Sequence, residues 1–268
     1  MSAMSDPFSL AGRHALVGGS TQGIGRACAI AFARAGASVT LVGRNNEGLA
    51  KVLTELASGA AQTHRTLCVD YADWRAVQRA VEAHVAAHGV VHVVLHNTGG
   101  PPAGAAIDAQ PEDFAKGFEQ HVLTGQAIVR ACAPGMRDAG YGRIINITST
   151  SVVAPIRGLG VSNSVRAAVA NWARSLAGEL APFGITVNTI LPGFTKTARL
   201  DALFKGRATR SGSTVDEVER AAVATIPAGR LGTADEIGAV AAFLASPAAS
   251  YVTGVNLPVD GGRTAMQS

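Results

Sequence analysis

The chain has 268 residues, 47% of them hydrophobic, and 31 glycines; that length and composition suit one sizeable α/β core and exclude a disordered chain. Its 23 basic and 19 acidic residues leave a net charge of +4 with no dense basic block, which argues against a nucleic-acid partner. Cys28, Cys68 and Cys132 are scattered, residues 1–10 lack the apolar core of a signal peptide, and no apolar run reaches membrane-spanning length, so a cytoplasmic protein with no membrane partner is expected.

The first strand is predicted over residues 13–18 and leads through Gly18, Gly19, Gly23 and Gly25 into a helix over 23–34. Glycines let the backbone turn tightly and approach a ligand, and a helix start presents free N–H groups to an anion. The ligand this implies is a dinucleotide pyrophosphate, held by Gly19, Ser20, Gly23, Ile24 and Gly25. The spacing is Gly19-x3-Gly23-x-Gly25 rather than G-x-G-x-x-G, and a tight strand-to-helix turn without a ligand is the plainer alternative.

A second strand at 38–43 ends in Gly43-Arg44-Asn45. A fold that reads the ribose of NAD usually carries an acidic residue about 20 positions beyond the glycines. Here Arg44 stands 19 beyond Gly25, and no carboxylate occurs over 38–46. A guanidinium pairs with a 2'-phosphate where a carboxylate would repel it. NADP(H) is therefore preferred, with NAD(H) as the alternative cofactor and a solvated surface arginine as the plain reading of Arg44.

A helix over 46–58 leads to a strand at 65–69 closed by Asp70, which either accepts from an adenine amine or caps the next helix, 74–87. The apolar strand 90–95 reads as covered on both faces, and its loop of His96, Asn97, Thr98, Gly99 and Gly100 falls at the C-terminal edge where ligands gather. There Asn97 can hold neighbouring backbone groups, while Gly99 allows close contact with a nicotinamide. His84, His88, His92 and His96 are spaced by four. Strand and helix separate the two pairs, and neither cysteine nor carboxylate completes a set, so no metal is expected.

Residues 111–136 read as one long helix with His121 in its middle; the strand 143–147 then opens into Thr148-Ser149-Thr150-Ser151. Helix 161–180 carries Arg166, and strand 185–190 ends in Leu191-Pro192-Gly193-Phe194-Thr195. The stretch 196–226 is polar, with Arg199, Lys205, Arg207, Arg210 and one short helix at 215–225; from Thr195 onward, 195–226 reads as a substrate lid. Helix 234–245 and strand 255–259 close a doubly wound Rossmann-like α/β fold, a mainly parallel seven-stranded sheet flanked by helices, in a single domain over 1–268.

Taken together, G-G-S-T-Q-G-I-G at 18–25, H-N-T-G-G at 96–100, L-P-G-F-T at 191–195, G-R-L-G-T-A-D-E-I at 229–237, Y-V-T-G at 251–254 and V-D-G-G at 259–262 resemble the short-chain dehydrogenase/reductase superfamily. The nearest resemblance is to bacterial 3-oxoacyl-acyl-carrier-protein reductases. It covers residues from about 10 to 262 and implies cofactor contacts at Asn97, Gly99, Pro192, Gly193 and Thr195.

The family's catalytic set is a serine after the fifth strand, a tyrosine about thirteen residues on, a lysine four further, and an asparagine in the preceding helix. Ser149 matches the serine, but Ser162 stands at the tyrosine, Arg166 at the lysine and His121 at the asparagine. Arg166 keeps the positive charge and the expected ribose contact. Ser162 is a poorer acid than phenol and shorter, Ser149 can still orient a carbonyl, and His121 either relays a proton or is simply packed. Tyr141 falls at the wrong end of its strand to substitute, and Tyr251 lies near the last one.

Three readings follow. The first is an NADP(H)-dependent reductase with a divergent site, taking a small-molecule or acyl-thioester substrate, with the basic residues of 195–226 suited to an anionic one. The second is a non-catalytic nucleotide sensor or scaffold, and the third a lyase or isomerase with His121 as base. The long helices 111–136 and 161–180 carry more apolar surface than one buried face needs, so a homodimer or homotetramer is expected.

Overall fold

The computed structural model describes residues 6–266. Strands β1 (His14–Gly18), β2 (Ser38–Gly43), β3 (Arg65–Cys68), β4 (Val93–His96), β5 (Gly142–Ile147), β6 (Ile185–Pro192) and β7 (Asn256–Val259) form a seven-stranded sheet. The order is β3-β2-β1-β4-β5-β6-β7, with every pairing parallel. β1 and β4 are buried along their whole length, which is why they read as continuous apolar runs rather than alternating ones. The chain leaves β1 for β2 and β3 on one side and returns to β4 on the other. The C-terminal ends of β1 and β4 therefore bound the crevice at which strand order reverses.

The helices are α1 (Gly23–Arg34), α2 (Asn46–Leu53), α3 (Trp74–His88), α4 (Pro111–Phe118), α5 (Thr124–Asp138), α6 (Gly160–Leu180), α7 (Ala198–Ser211), α8 (Val215–Val223) and α9 (Ala234–Ala245). Phe32 of α1, Leu49 of α2 and Leu244 of α9 pack on one sheet face; Val81 of α3, Ile128 of α5 and Leu180 of α6 pack on the other. Among the described residues no helix is long and apolar enough to cross a membrane.

Two sequence expectations are corrected. The single helix over 111–136 is α4 and α5 joined by one wider π turn at Glu119–Leu123; turns of this kind recur at functional sites. The polar stretch 196–226 holds two helices rather than one, α7 as well as α8. Leu200, Phe204 and Ala208 recur every fourth residue along α7 and are buried, the first two in a cluster with Ile226 and Leu231, and Thr197 accepts from Leu200 N to cap the helix. The stripe is narrow, and the intervening Lys and Arg residues hide it from a composition-based reading.

Candidate active site

The crevice opens into a cavity of about 580 Å³ that runs from the ends of β2 and β3 across β1 and β4 to α6 and α7. At one end lies the glycine turn. Gly19 and Gly23 take φ of +59° and +55°, which favours glycine. A Cβ on Gly19 would stand 2.6 Å from Asn97 Nδ2, and that nitrogen donates to Gly18 O at 3.2 Å. The missing side chain thus lets the loop after β4 close on the turn.

Gly19, Gly23 and Ile24 line the cavity, while Ser20 and Gly25 do not. Ser20 is fully buried and its hydroxyl donates to Val42 O at 3.1 Å, tying the turn to β2; its expected ligand contact is corrected on that ground. A Cβ on Gly25 would fall on Gly19 O, so this glycine packs the helix against its own turn. Thr21 and Gln22 line the cavity instead. Gln22, just before α1, gives that helix no side-chain cap, whereas Asn45, Asp73, Thr214 and Thr233 cap α2, α3, α8 and α9.

Arg44 and Asp70 stand at the ends of β2 and β3, 3.7 Å apart and both exposed; a pair so long and solvated holds neither side chain firmly. Asp73 caps α3, accepting from Ala76 N, while Asp70 accepts from Ala72 N and keeps its other oxygen toward Arg44. Among the described residues, Arg44, Arg166, Arg199 and Arg263 line the cavity against Asp70 as its one carboxylate. Arg44 at the end of β2 and the uncapped helix beside the glycine turn fit a phosphorylated dinucleotide.

At the other end, Ser149 follows β5 and its Oγ accepts from Ser151 N at 3.1 Å. Arg166, one turn along α6 from Ser162, donates through Nε to Ser162 Oγ at 3.1 Å and through Nη1 to Thr148 O at 2.6 Å. Burial first, then the charge of Arg199, lowers its pKa to about 10. Arg199 at the start of α7 donates to Pro101 O at 2.7 Å. Asn97, Gly99, Pro192, Gly193 and Thr195 also line the cavity.

His121 does not. It lies in the π turn, 3% exposed, with Nε2 unpartnered, and its carbonyl accepts from His96 Nε2 at 2.7 Å. Burial, followed by the charge of Arg166, lowers its pKa to about 3. A group so placed is a feeble base, so of the two alternatives for His121 the buried site favours packing over a proton relay. Nor does a tyrosine take the vacant role. Tyr141 donates to Ala245 O at 2.6 Å, Tyr251 is wholly exposed, and Tyr71 packs against the turn and His96. Sequence reasoning placed Arg199 in the lid but missed its approach to Arg166, as well as the pair in which Gln120 donates to Thr98 Oγ1 at 2.9 Å on the cavity wall.

A parallel sheet with a glycine turn at its switch point and a serine-bearing β5 edge defines a dinucleotide-binding oxidoreductase class, and comparison gives it a family. The profile described as enoyl-(acyl carrier protein) reductase matches residues 19–264, and the chain belongs to this family within the short-chain dehydrogenase/reductase superfamily. It is 33% identical to an uncharacterized oxidoreductase of Mycobacterium tuberculosis over 97% of this chain and 95% of that one. It is 31% identical to a 3-oxoacyl-(acyl-carrier-protein) reductase of Vibrio cholerae over 95% and 98%. L-sorbose reductase of Gluconobacter frateurii, solved with NADPH and L-sorbose, superposes with a TM-score of 0.89 at 27–28% identity, over 96–97% of this chain and 98–99% of the other.

Proposed function

We propose that the chain is an NADP(H)-dependent oxidoreductase that interconverts a carbonyl and a hydroxyl on a small molecule or acyl thioester. The observation that carries this is the convergence of Ser149, Ser162 and Arg166 in one cavity with the glycine turn and Arg44. The sorbose reductase with its NADPH and the 3-oxoacyl reductase support cofactor and reaction class. When bound, the nicotinamide supplies or takes the hydride.

The residues of the chain do the rest. Arg44 would pair with the 2'-phosphate and the open start of α1 would hold the pyrophosphate, while Asn97 keeps the loop after β4 against the turn. Ser162 Oγ accepts from Arg166 Nε, so its own hydrogen is free to donate to the substrate oxygen beside Ser149. Arg166 adds a fixed positive charge next to the oxygen that becomes negative. A serine is too weak an acid to surrender its proton outright, so water delivers the final proton while the two hydroxyls and the guanidinium hold the oxyanion.

The helices at 195–226 serve in this reading as the cavity's lid, with Arg199, Leu200 and Leu203 of α7 on its inner side. An apolar groove over α4 and α6, lined by Phe114, Phe118, Val165 and Ala168, is the proposed contact of a homodimer or homotetramer.

The test is NADPH oxidation by purified protein over a panel of ketones and 3-oxoacyl thioesters, repeated with Ser149→Ala. Substrate-dependent loss of NADPH, cut about 100-fold by the substitution, is expected. Tight NADPH binding with no turnover on any substrate replaces this reading with the sensor or scaffold, which the missing tyrosine favours. Product formed without change in the nicotinamide absorbance replaces it with a lyase or isomerase.

A further inference from the structure

Two arginines that line the cavity, the half-buried Arg166 and the exposed Arg199, hold a charge that the protein leaves unbalanced. A Cβ built on Gly100 would stand 2.9 Å from Arg166 Nη2 and 3.1 Å from Arg199 Nη2. The two guanidiniums therefore lie within about 6 Å of each other, a span that one carboxylate bridges with a charge-assisted hydrogen bond of about 2.8 Å to each. Neither has an acidic partner. The ion pairs among the described residues are Arg26 with Glu55, Arg44 with Asp70, and Arg230 with Glu236.

The protein fixes the two side chains without neutralising them. Arg166 spends Nε on Ser162 and Nη1 on Thr148 O, and Arg199 gives one bond to Pro101 O. Arg166 Nη2 makes no hydrogen bond to a described residue and points toward the glycine loop. Holding two like charges together without an anion is costly, and Arg166, whose pKa burial lowers first, is lowered further by the charge of Arg199. The wall beside them is apolar, formed by Ile156, Leu159, Phe194 and Leu203.

Resting on the reductase reading, we infer that the substrate is a short oxo acid, its carboxylate bridged between Arg166 and Arg199 and its carbonyl beside Ser149 and Ser162. Carbonyl and carboxylate then sit on neighbouring edges of the same Arg166 guanidinium, which places them close together along the substrate chain. The ligand is singly charged for a reason. One negative charge answers one arginine and leaves net positive field for the oxygen that becomes an alkoxide. The apolar wall takes the remaining carbon skeleton, and Gly100 is the residue whose missing side chain keeps the seat open.

The full chain with saturating NADP+ is titrated by calorimetry with 4-methylpentanoate, which has the acid and no ketone, and with 4-methylpentanamide. The acid is expected to bind about 30-fold more tightly than the amide, and Arg199→Gln to weaken the acid by about 20-fold. Turnover of 4-methyl-2-oxopentanoate is compared with that of its methyl ester, and the acid-to-ester ratio of kcat/KM is expected to fall by a similar factor in Arg199→Gln. NADPH fluorescence and thermal melting verify that the variant is folded; if it is not, the acid-to-amide comparison in the unaltered protein decides alone. Equal binding of acid and amide, or a folded Arg199→Gln that binds the acid unchanged, overturns the carboxylate seat. Acid binding without any turnover sinks the reductase reading and leaves the seat standing, whereas turnover of ketones with no preference for acids does the reverse.

Discussion

The two ends of the cavity are built by different means. At the glycine turn the work is done by backbone and by absent side chains, because Gly19 admits the loop after β4 and Gly25 admits Gly19 O. Around Ser149 it is done by side chains, and these depart from the family set at Ser162, Arg166 and His121. A backbone cradle has few sequences that can make it, since any Cβ collides. A site that needs one positive charge and one or two hydroxyl donors has several. The difference is why the turn is recognisable in this chain while the residues around Ser149 are not those the resemblance implies.

The largest effect is expected from closing the cradle. Gly25→Ala places a methyl on Gly19 O, where no side chain can yield because both partners are backbone. NADPH binding, followed by fluorescence, should weaken by more than about 100-fold, with a fall in Tm. A variant that still binds NADPH like the parent would break the claim that this end is set by shape.

Next comes Arg166, where chemistry and not shape is at stake. Arg166→Ala should lower kcat about 100-fold on whichever substrate the panel identifies, since it removes the charge beside the oxyanion and the donor behind Ser162. Arg166→Lys keeps the charge but cannot hold Ser162 and Thr148 O together, so kcat should recover only in part. The same geometry predicts a kcat that is flat from roughly pH 6 to 9, because His121 sits near 3 and Arg166 near 10. An inflection near neutrality would mean that a group outside this set carries the proton. At the far end Arg44→Ala should lower the preference for NADPH over NADH by about 10- to 30-fold, read as the ratio of kcat/KM values.

The same contrast governs what the sequence discloses. The buried runs of β1 and β4, the glycine turn and the absence of a carboxylate over 38–46 are local, and each is legible as it stands. Ser20 was misjudged because a hydroxyl in a tight turn serves a ligand or the next strand equally well; its bond to Val42 O is set by β2. The π turn adds one residue to a helical repeat without altering its composition, so nothing in 119–123 marks it. Arg166 and Arg199 are 33 positions apart, and their approach exists only once α6 and α7 close over Gly100.

The last effect separates stability from catalysis. His96 and His121 are buried at the active-site edge, and His14 and His84 at the opposite, N-terminal edge of the sheet, where His14 Nε2 lies 2.8 Å from Thr40 Oγ1. Burial lowers His14, His84 and His96 to about 4 and His121 to about 3, against an ordinary value of 6.5. Between those limits the unfolded chain binds more protons than the folded one, so stability is complete above about pH 6.5 and is lost as pH falls toward 4. For His96 alone, at about 1.36 kcal/mol per pH unit, the loss is roughly 3 kcal/mol. Urea unfolding at pH 7.5, 6.0 and 5.0 should show a midpoint that falls with pH, and His96→Gln, which retains a donor toward His121 O, should reduce the slope. Because these imidazoles stand behind the cavity wall or at the far edge of the sheet, kcat of the folded enzyme should hold at pH 6 while the urea midpoint has already dropped. If activity and stability instead fell together with one midpoint, a histidine would belong to the catalytic end after all, and the division between a cradle made by shape and a site made by fixed charge would no longer stand.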